Sequence, residues 1–541
     1  MADMRARFVS ILLFGTIATP ALAAPAAQET TAWANRLTWG ASAAPADSDK
    51  AGSTHWLDAQ LKHPDDTLPP EAAARIAAMR ISRAPLAALV VDEDAANRYA
   101  NKLTDPAQRD AARKAYQQDM NALASEAATR SLLRDLYAPD QLREQLTWFW
   151  FNHFNVQAQK RDIRAMVGDY EDTIRDHSLG KFRDLLEATL RHPAMLRYLD
   201  NDQNAANHIN ENYAREIMEL HSMGVGSGYT QKDVQELARI LTGVGVDLSP
   251  NAPKLSPQRQ PLYVRAGLFE FNPNRHDFGD KQFLGHTIKG SGFAEVEEAL
   301  DLIARSPATA HHVSEQLATY FMGDTPPAAV VDRMTATWQK SDGDIAQVLR
   351  TMIRAPEFRQ SLGTVFKDPV HYAVSSVRLM YGDKVIVNAQ PIIGWLNRMG
   401  QGLYARETPD GYPMASAAWT GPGQMSVRFE IARQIGGGAA GLFKPPAPPA
   451  AMAAVGISGA SAPAMANPMA SEMMAPGTPT AAAPPPPPAV PIPPLPKLQN
   501  AAYYSAVAPA LAGQTRTALT QASSPQEWNA LFLSSPEFMH R

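Results

Sequence analysis

Apolar residues recur along most of this chain at the spacing of helices, and one stretch breaks the rule by being apolar nearly all round. From about Thr31 to Gln434 the pattern is mostly helical. Pro70 to Ile81 and Pro106 to Tyr137 are Ala-rich with spaced Ile, Leu, Met and Tyr, which predicts two helices. Pro139 suits a first helical position, and Asp140 places negative charge near that helix start. The helix so opened carries LTWFWFNHFNV, Leu146 to Val156, where Trp148, Phe149, Trp150, Phe151 and Phe154 crowd around His153. A solvated helix shows a single apolar stripe, so this one is expected to run through a core, with Leu142, Leu146, Phe149 and His153 sharing a face.

Further along, NENYAREIMELHSMG opens at Asn210, a plausible N-cap, and is expected to close at Gly224. Thr230 to Asp233 is a capping-box pattern leading Val234, Leu237, Ala238 and Leu241 on one stripe, with Gly243 as the stop. GVGSGY then joins two helices as a turn; it follows no strand, so it does not read as a dinucleotide site. Strand signal is sparse: Leu268 to Phe271 and Gln282 to Gly285 flank the polar NPNRHDFGD and predict one small hairpin. Helical patterns resume over Glu295 to Arg305, Thr309 to Phe321, Ala328 to Trp338 and Ile345 to Ile353. The expected class is mainly α, a large single helical domain with a small β-hairpin.

Composition changes this picture at both ends. Arg5 and Arg7, the apolar run Phe8 to Thr19, then Pro20 and Ala21-Leu22-Ala23 form a secretory signal pattern over residues 1–23. An exported protein, periplasmic or extracellular, with no transmembrane anchor after cleavage, is the expectation. The chain has no cysteine, which excludes disulfides, thiol nucleophiles and cysteine-based zinc sites. Residues 436–498 are rich in Pro, Ala and Met, with Pro484 to Pro488 unbroken, and lack the large apolar residues that offset ordering entropy. They are expected to form a disordered insertion, because the short end segment with Trp528, Phe532 and Phe538 cannot build its own core and should fold back. The domain is therefore 31–435 plus 499–541. Met452, Met465, Met469, Met473 and Met474 in the insertion are soft donors that would suit Cu(I), although a Met-bearing Ala/Pro linker is the simpler reading.

A net charge of −4 gives no electrostatic case for nucleic acid or an anionic membrane. No HExxH, GxSxG or phosphate loop occurs. What remains are imidazoles and carboxylates. His153 is either a core histidine bonded to a backbone carbonyl or an acid, base or metal ligand between helices. Glu216, on the NENYARE helix, is the carboxylate that would face it; Arg215 should pair with Glu211 across one turn. The NPNRHDFGDK loop adds His276, Asp277 and Lys281 as site candidates, weighed against a turn that caps its own backbone. His153, Glu216, His276 and Asp277 are the catalytic candidates, and Arg215, His221, Lys281 and Asn152 the binding ones. His311 and His312 read as a surface pair. The residues leave the cofactor and the identity of any metal unknown.

Taken in order, NRLTWGA (Asn35 to Ala41), LTWFWFNHFNV, ENYAREIMELHSMGVGSGYTQKDVQELARILTG (Glu211 to Gly243), HDFGDKQFLG from His276, SDGDIAQVLRTMIRAPEF and PDGYP (Pro409 to Pro413) resemble the bacterial family known as domain of unknown function 1800. The resemblance covers Trp33 to Arg433 and Ala501 to Arg541. It implies a large, mainly helical fold and association with a second exported family, domain of unknown function 1501, which is similar to sulfatase and phosphatase folds. It implies no reaction, so no catalytic residue is carried over. Two functions are expected from different classes: a binding or assembly partner of another exported protein, or an exported hydrolase with an interhelical His/Glu acid-base or metal site acting on envelope or polymeric material.

Overall fold

The computed structural model describes residues 23–42, 52–62, 65–445 and 493–541. The signal pattern, apart from Ala23, and the methionines of the insertion lie outside the described residues. Within them the chain is mainly helical, with a three-stranded and a two-stranded antiparallel sheet.

The aromatic helix, Gln141–His153, is the axis of the core. Every residue from Gln141 to Phe151 is buried. It packs against the helices Ala23–Leu37, Thr54–Lys62, Pro106–Tyr137 and Val167–His177. Its rings meet in edge and tilted arrangements, with Phe149 and Trp150 centroids 4.8 Å apart and Phe149 and Tyr320 5.3 Å apart. Such pairs add roughly 0.5–1.5 kcal/mol each beyond their burial. The Trp150 indole N–H, which would be costly to bury unpaired, donates to the Ser178 carbonyl at 3.0 Å. Pro139 stays outside this helix, and Asp140 is its N-cap residue, with no side-chain capping bond.

The expected single hairpin is two structures. Phe269–Phe271 lies between Val244–Val246 and Val264–Ala266 in one sheet, whereas Lys281–Phe283 turns back on His286–Ile288 in another. The second pair closes through the two-residue Leu284-Gly285 connection, whose positive φ values match the twist of a tight hairpin. Local turn chemistry therefore outranked the longer-range pairing expected across the NPNRHDFGD loop.

The returning end segment completes the core. Pro525–Leu533 packs along Pro422–Gly436, burying Trp528, Phe532 and Leu533. Asn529 ties down the chain's re-entry: its Nδ2 donates to the Pro496 carbonyl at 2.8 Å and its Oδ1 accepts from the Leu498 N–H at 3.2 Å. Lys367 N–H donates to the Met539 carbonyl at 2.8 Å. Leu442 and Phe443 are buried as well, and the Leu442 carbonyl accepts from Asn388 N–H at 2.9 Å.

Candidate functional site

His153 ends the aromatic helix where the core opens onto a cavity of about 660 Å3. Four segments wall this cavity: the end of the aromatic helix, the turn after Asn212–Glu219, the first turns of Pro307–Met322, and the 404–414 strap.

The strap is held by the two asparagines that flank His153. Asn152 Nδ2 donates to the Tyr412 carbonyl at 2.9 Å, and its Oδ1 accepts from the Tyr412 N–H at 2.6 Å. Asn155 Nδ2 donates to the carbonyls of Arg406 and Thr408 at 3.1 and 2.8 Å. Gly411 passes so close that a Cβ there would lie 2.1 Å from the Asn152 carbonyl oxygen, and its φ is +70°. The NHFN sequence thus serves two purposes: its rings fill the core, and its amides clamp a distant loop beside the imidazole.

The second wall comes from an early helix end. Asn212–Glu219 stops before the expected Gly224, with Glu211 as N-cap residue; the amides of Leu220 and His221 both reach the Glu216 carbonyl at 3.0 Å. Gly224 follows at φ +86°, where a Cβ would meet His312 Nδ1 at 2.9 Å. Ending there frees the His221 carbonyl, which lies 3.0 Å from His153 Nε2. A carbonyl only accepts, so Nε2 carries the proton and Nδ1 presents a lone pair. That Nδ1 has no hydrogen-bond partner among the described residues. The rings of Phe154, Trp150 and Phe149 surround the imidazole at 4.7, 5.5 and 6.1 Å. Burial lowers the His153 pKa to about 4, and the neighbouring His312 lowers it further, against the His221 carbonyl bond that raises it. His312 itself is lowered by burial. Both imidazoles are neutral at pH 7.

The structure divides the residues singled out in the sequence. Asn152 and His153 line the cavity; His221 supplies the carbonyl, while its own ring is buried 5.1 Å from Phe154 and its Nε2 has no partner among the described residues. Arg215 pairs with Glu211 at 3.1 Å and reaches Glu219, a cavity residue, at 3.4 Å. Glu216 does not line the cavity. Burial raises its pKa, Glu219 adds to the rise, and its carboxylate makes no hydrogen bond or ion pair among the described residues. The carboxylates facing His153's cavity are Glu219, Glu315 and Asp410.

His276, Asp277 and Lys281 belong to a different constellation, and none of them lines this cavity. His276 Nε2 donates to Glu295 Oε1 at 2.8 Å, with both side chains fully buried. Lys281 Nζ bonds to the other Glu295 oxygen and to the Asp277 carbonyl. Glu295 Oε1 also accepts from the backbone N–H groups of Ser291 and Gly292 at 2.7 and 2.9 Å, at the start of Phe293–Arg305. Burial alone would raise the Glu295 pKa, but the bonds from His276, Lys281 and Gly292 outweigh it and hold it low. Asp277 binds Arg239 at 2.8 Å, and that bond lowers its pKa. This arrangement satisfies every atom it uses and joins the small hairpin to the helix behind it.

Reading the sequence alone passed over His311, His312, Glu219, Glu315, Asp410 and Tyr412 as site residues, although PDGYP holds two of them. Among the described residues no group of three or more His, Asp or Glu side chains is placed to hold a metal ion.

The sequence model of the family described as "Protein of unknown function (DUF1800)" matches residues 32–540. The chain belongs to this family. Neither a curated protein nor a solved structure matches this DUF1800 chain. The match runs across the aromatic helix, the His153 cavity and the returning end segment alike, so all three belong to one family unit.

Proposed function

We propose that this DUF1800 protein is an exported binding or assembly protein whose His153 cavity receives a group presented by another exported protein, of the domain of unknown function 1501 family. The observation that carries this reading is the preformed clamp: Asn152 and Asn155 fix the strap beside an imidazole whose Nδ1 has no hydrogen-bond partner among the described residues. A cavity held open in advance costs little reordering when it is filled. Its size falls in the range of about 300–1,000 Å3 usual for ligand pockets, and it combines aromatic walls with a few converging polar groups. The signal pattern supports the exported part of the reading, and among the described residues no helix is long and apolar enough to cross a membrane. No observation favours the hydrolase reading.

The test mixes purified mature protein with the exported 1501-type protein of the same organism and follows co-elution by size exclusion. A complex that weakens in Tyr412→Ala and Met414→Ala is expected. Absence of a complex, or one indifferent to both substitutions, overturns the reading.

A further inference from the structure

The charges around the cavity are lopsided. Among the described residues three carboxylates, Glu219, Glu315 and Asp410, line it, and no lysine or arginine does. The two nearby guanidinium groups are engaged at its edge. Arg406 Nη2 binds both oxygens of Asp410 at 2.9 Å, and Arg215 meets one oxygen of Glu219 at 3.4 Å while also bonding Glu211 and Gln231. Glu315 makes no hydrogen bond or ion pair among the described residues.

The uncharged polar groups include further acceptors beside groups that can also donate, such as His312, Gln316 and Ser227. His153 spends its single N–H on the His221 carbonyl and keeps a lone pair on Nδ1. Tyr412 spends its hydroxyl proton on the Gly402 carbonyl at 2.9 Å. Phe149, Met223 and Met414 add apolar lining to the acidic one. An anion placed here would meet three carboxylates. A neutral apolar ligand would leave the imidazole lone pair without a donor and would pair with none of the carboxylates. A cation on an aliphatic stem satisfies both linings, since ammonium and guanidinium groups only donate and their methylenes pack on apolar surface.

We infer that the cavity binds an organic cation, an ammonium or guanidinium group carried on an aliphatic stem. The inference rests on the reading of this cavity as a binding site and adds the chemistry of what enters it. Two sources share that chemistry: a free polyamine, and a basic side chain on the exported partner.

Isothermal titration of the full mature protein with spermidine, with N-acetyl-lysine methylamide, and with its hydroxyl isostere N-acetyl-6-hydroxynorleucine methylamide tests it. Saturable binding of at least one of the two amines is expected, with at least tenfold weaker binding of the hydroxyl isostere. Glu315→Gln and Glu219→Gln should each weaken the amine at least fivefold, while Glu298→Gln, at an exposed position outside the cavity, should not. Tighter binding of spermidine points to a free amine, and tighter binding of the lysine derivative to a side chain; either upholds the cation. Binding of the isostere as tight as the amine, no binding of either amine, or an equal loss in all three variants overturns it. Failure here with a partner complex still sensitive to Tyr412→Ala removes the cation and leaves the binding reading intact. Loss of that sensitivity removes the site itself.

Discussion

A single proton position organises the site. Because the His221 carbonyl accepts from His153 Nε2, the imidazole is locked as one neutral tautomer, and its surroundings keep it so, with a pKa near 4 against an ordinary 6.5. Between those values the unfolded chain binds more protons than the folded one. The His153 contribution to stability is therefore complete above about pH 6.5 and is lost as pH falls towards 4. His371 acts in the same direction, its pKa lowered to about 4 by burial and by Arg541, while Asp368 opposes that shift. Replacing His153 with Gln, which can still donate to the carbonyl, isolates the His153 contribution. Between pH 7 and pH 5 wild type should lose more stability than His153→Gln, by up to about 2 kcal/mol, in urea unfolding at each pH. Equal losses would show that His153 titrates normally. Asn152 makes a different kind of contribution. Asn152→Ala removes both bonds to Tyr412 and leaves half-buried polar backbone behind, a cost of about 1–3 kcal/mol. It should also raise amide exchange across 404–412 with little change in the aromatic helix; protection unchanged in the strap would contradict the clamp.

At the scale of elements, the helices were legible because their signals are local. Pro106–Tyr137 and Ile345–Ile353 have the expected ends, and the Thr230 capping box forms, with Asp233 N–H donating to Thr230 Oγ1 at 3.2 Å. The misread features are those set by contacts between distant segments. Glu216 and Glu219 are one helical turn apart, and which of them faces His153 depends on where Asn212–Glu219 ends and how the chain turns after it. His312 looks like a surface residue until Gly224 is brought against its imidazole, whereas His311 is exposed. His276, Asp277 and Lys281 carry the composition of a reactive loop, but the residue that decides their role, Glu295, lies on the following helix, where no local pattern ties it to them. A prediction belongs here. Glu295→Ala strands His276 and Lys281 in a dry interior and should cost about 3–5 kcal/mol, the penalty for breaking a buried ion pair from one side. Partner binding by the fraction that remains folded should be unchanged. A small stability cost with lost binding would return these residues to the functional site.

The whole molecule closes through its end segment. Trp528, Phe532, Leu533 and Phe538 are at most 7% exposed, and burying each contributes roughly 1.5–3 kcal/mol. Together they amount to roughly 6–12 kcal/mol, comparable with the whole stability of about 5–15 kcal/mol of an ordinary domain. Removing residues 525–541 should therefore abolish the cooperative thermal transition; a truncated chain melting at the wild-type temperature would show that the segment only decorates the surface. That it folds back could be argued from the sequence, because a short apolar tail has nowhere else to bury itself. Its line of contact with Pro422–Gly436 could not, since it depends on packing between elements with no pattern in common. The same closure fixes the scaffold behind the cavity: Arg541 Nη2 donates to the Tyr320 carbonyl at 2.7 Å, and the Tyr320 ring lies 5.3 Å from Phe149 in the cavity wall. Hydrogen exchange mapped along the mature protein with and without the purified 1501-type partner tests the central claim most directly. Slowed exchange confined to the cavity rim, residues 220–228, 308–316 and 404–414, is the predicted result. Protection confined to other faces, or none at saturating partner, would contradict it.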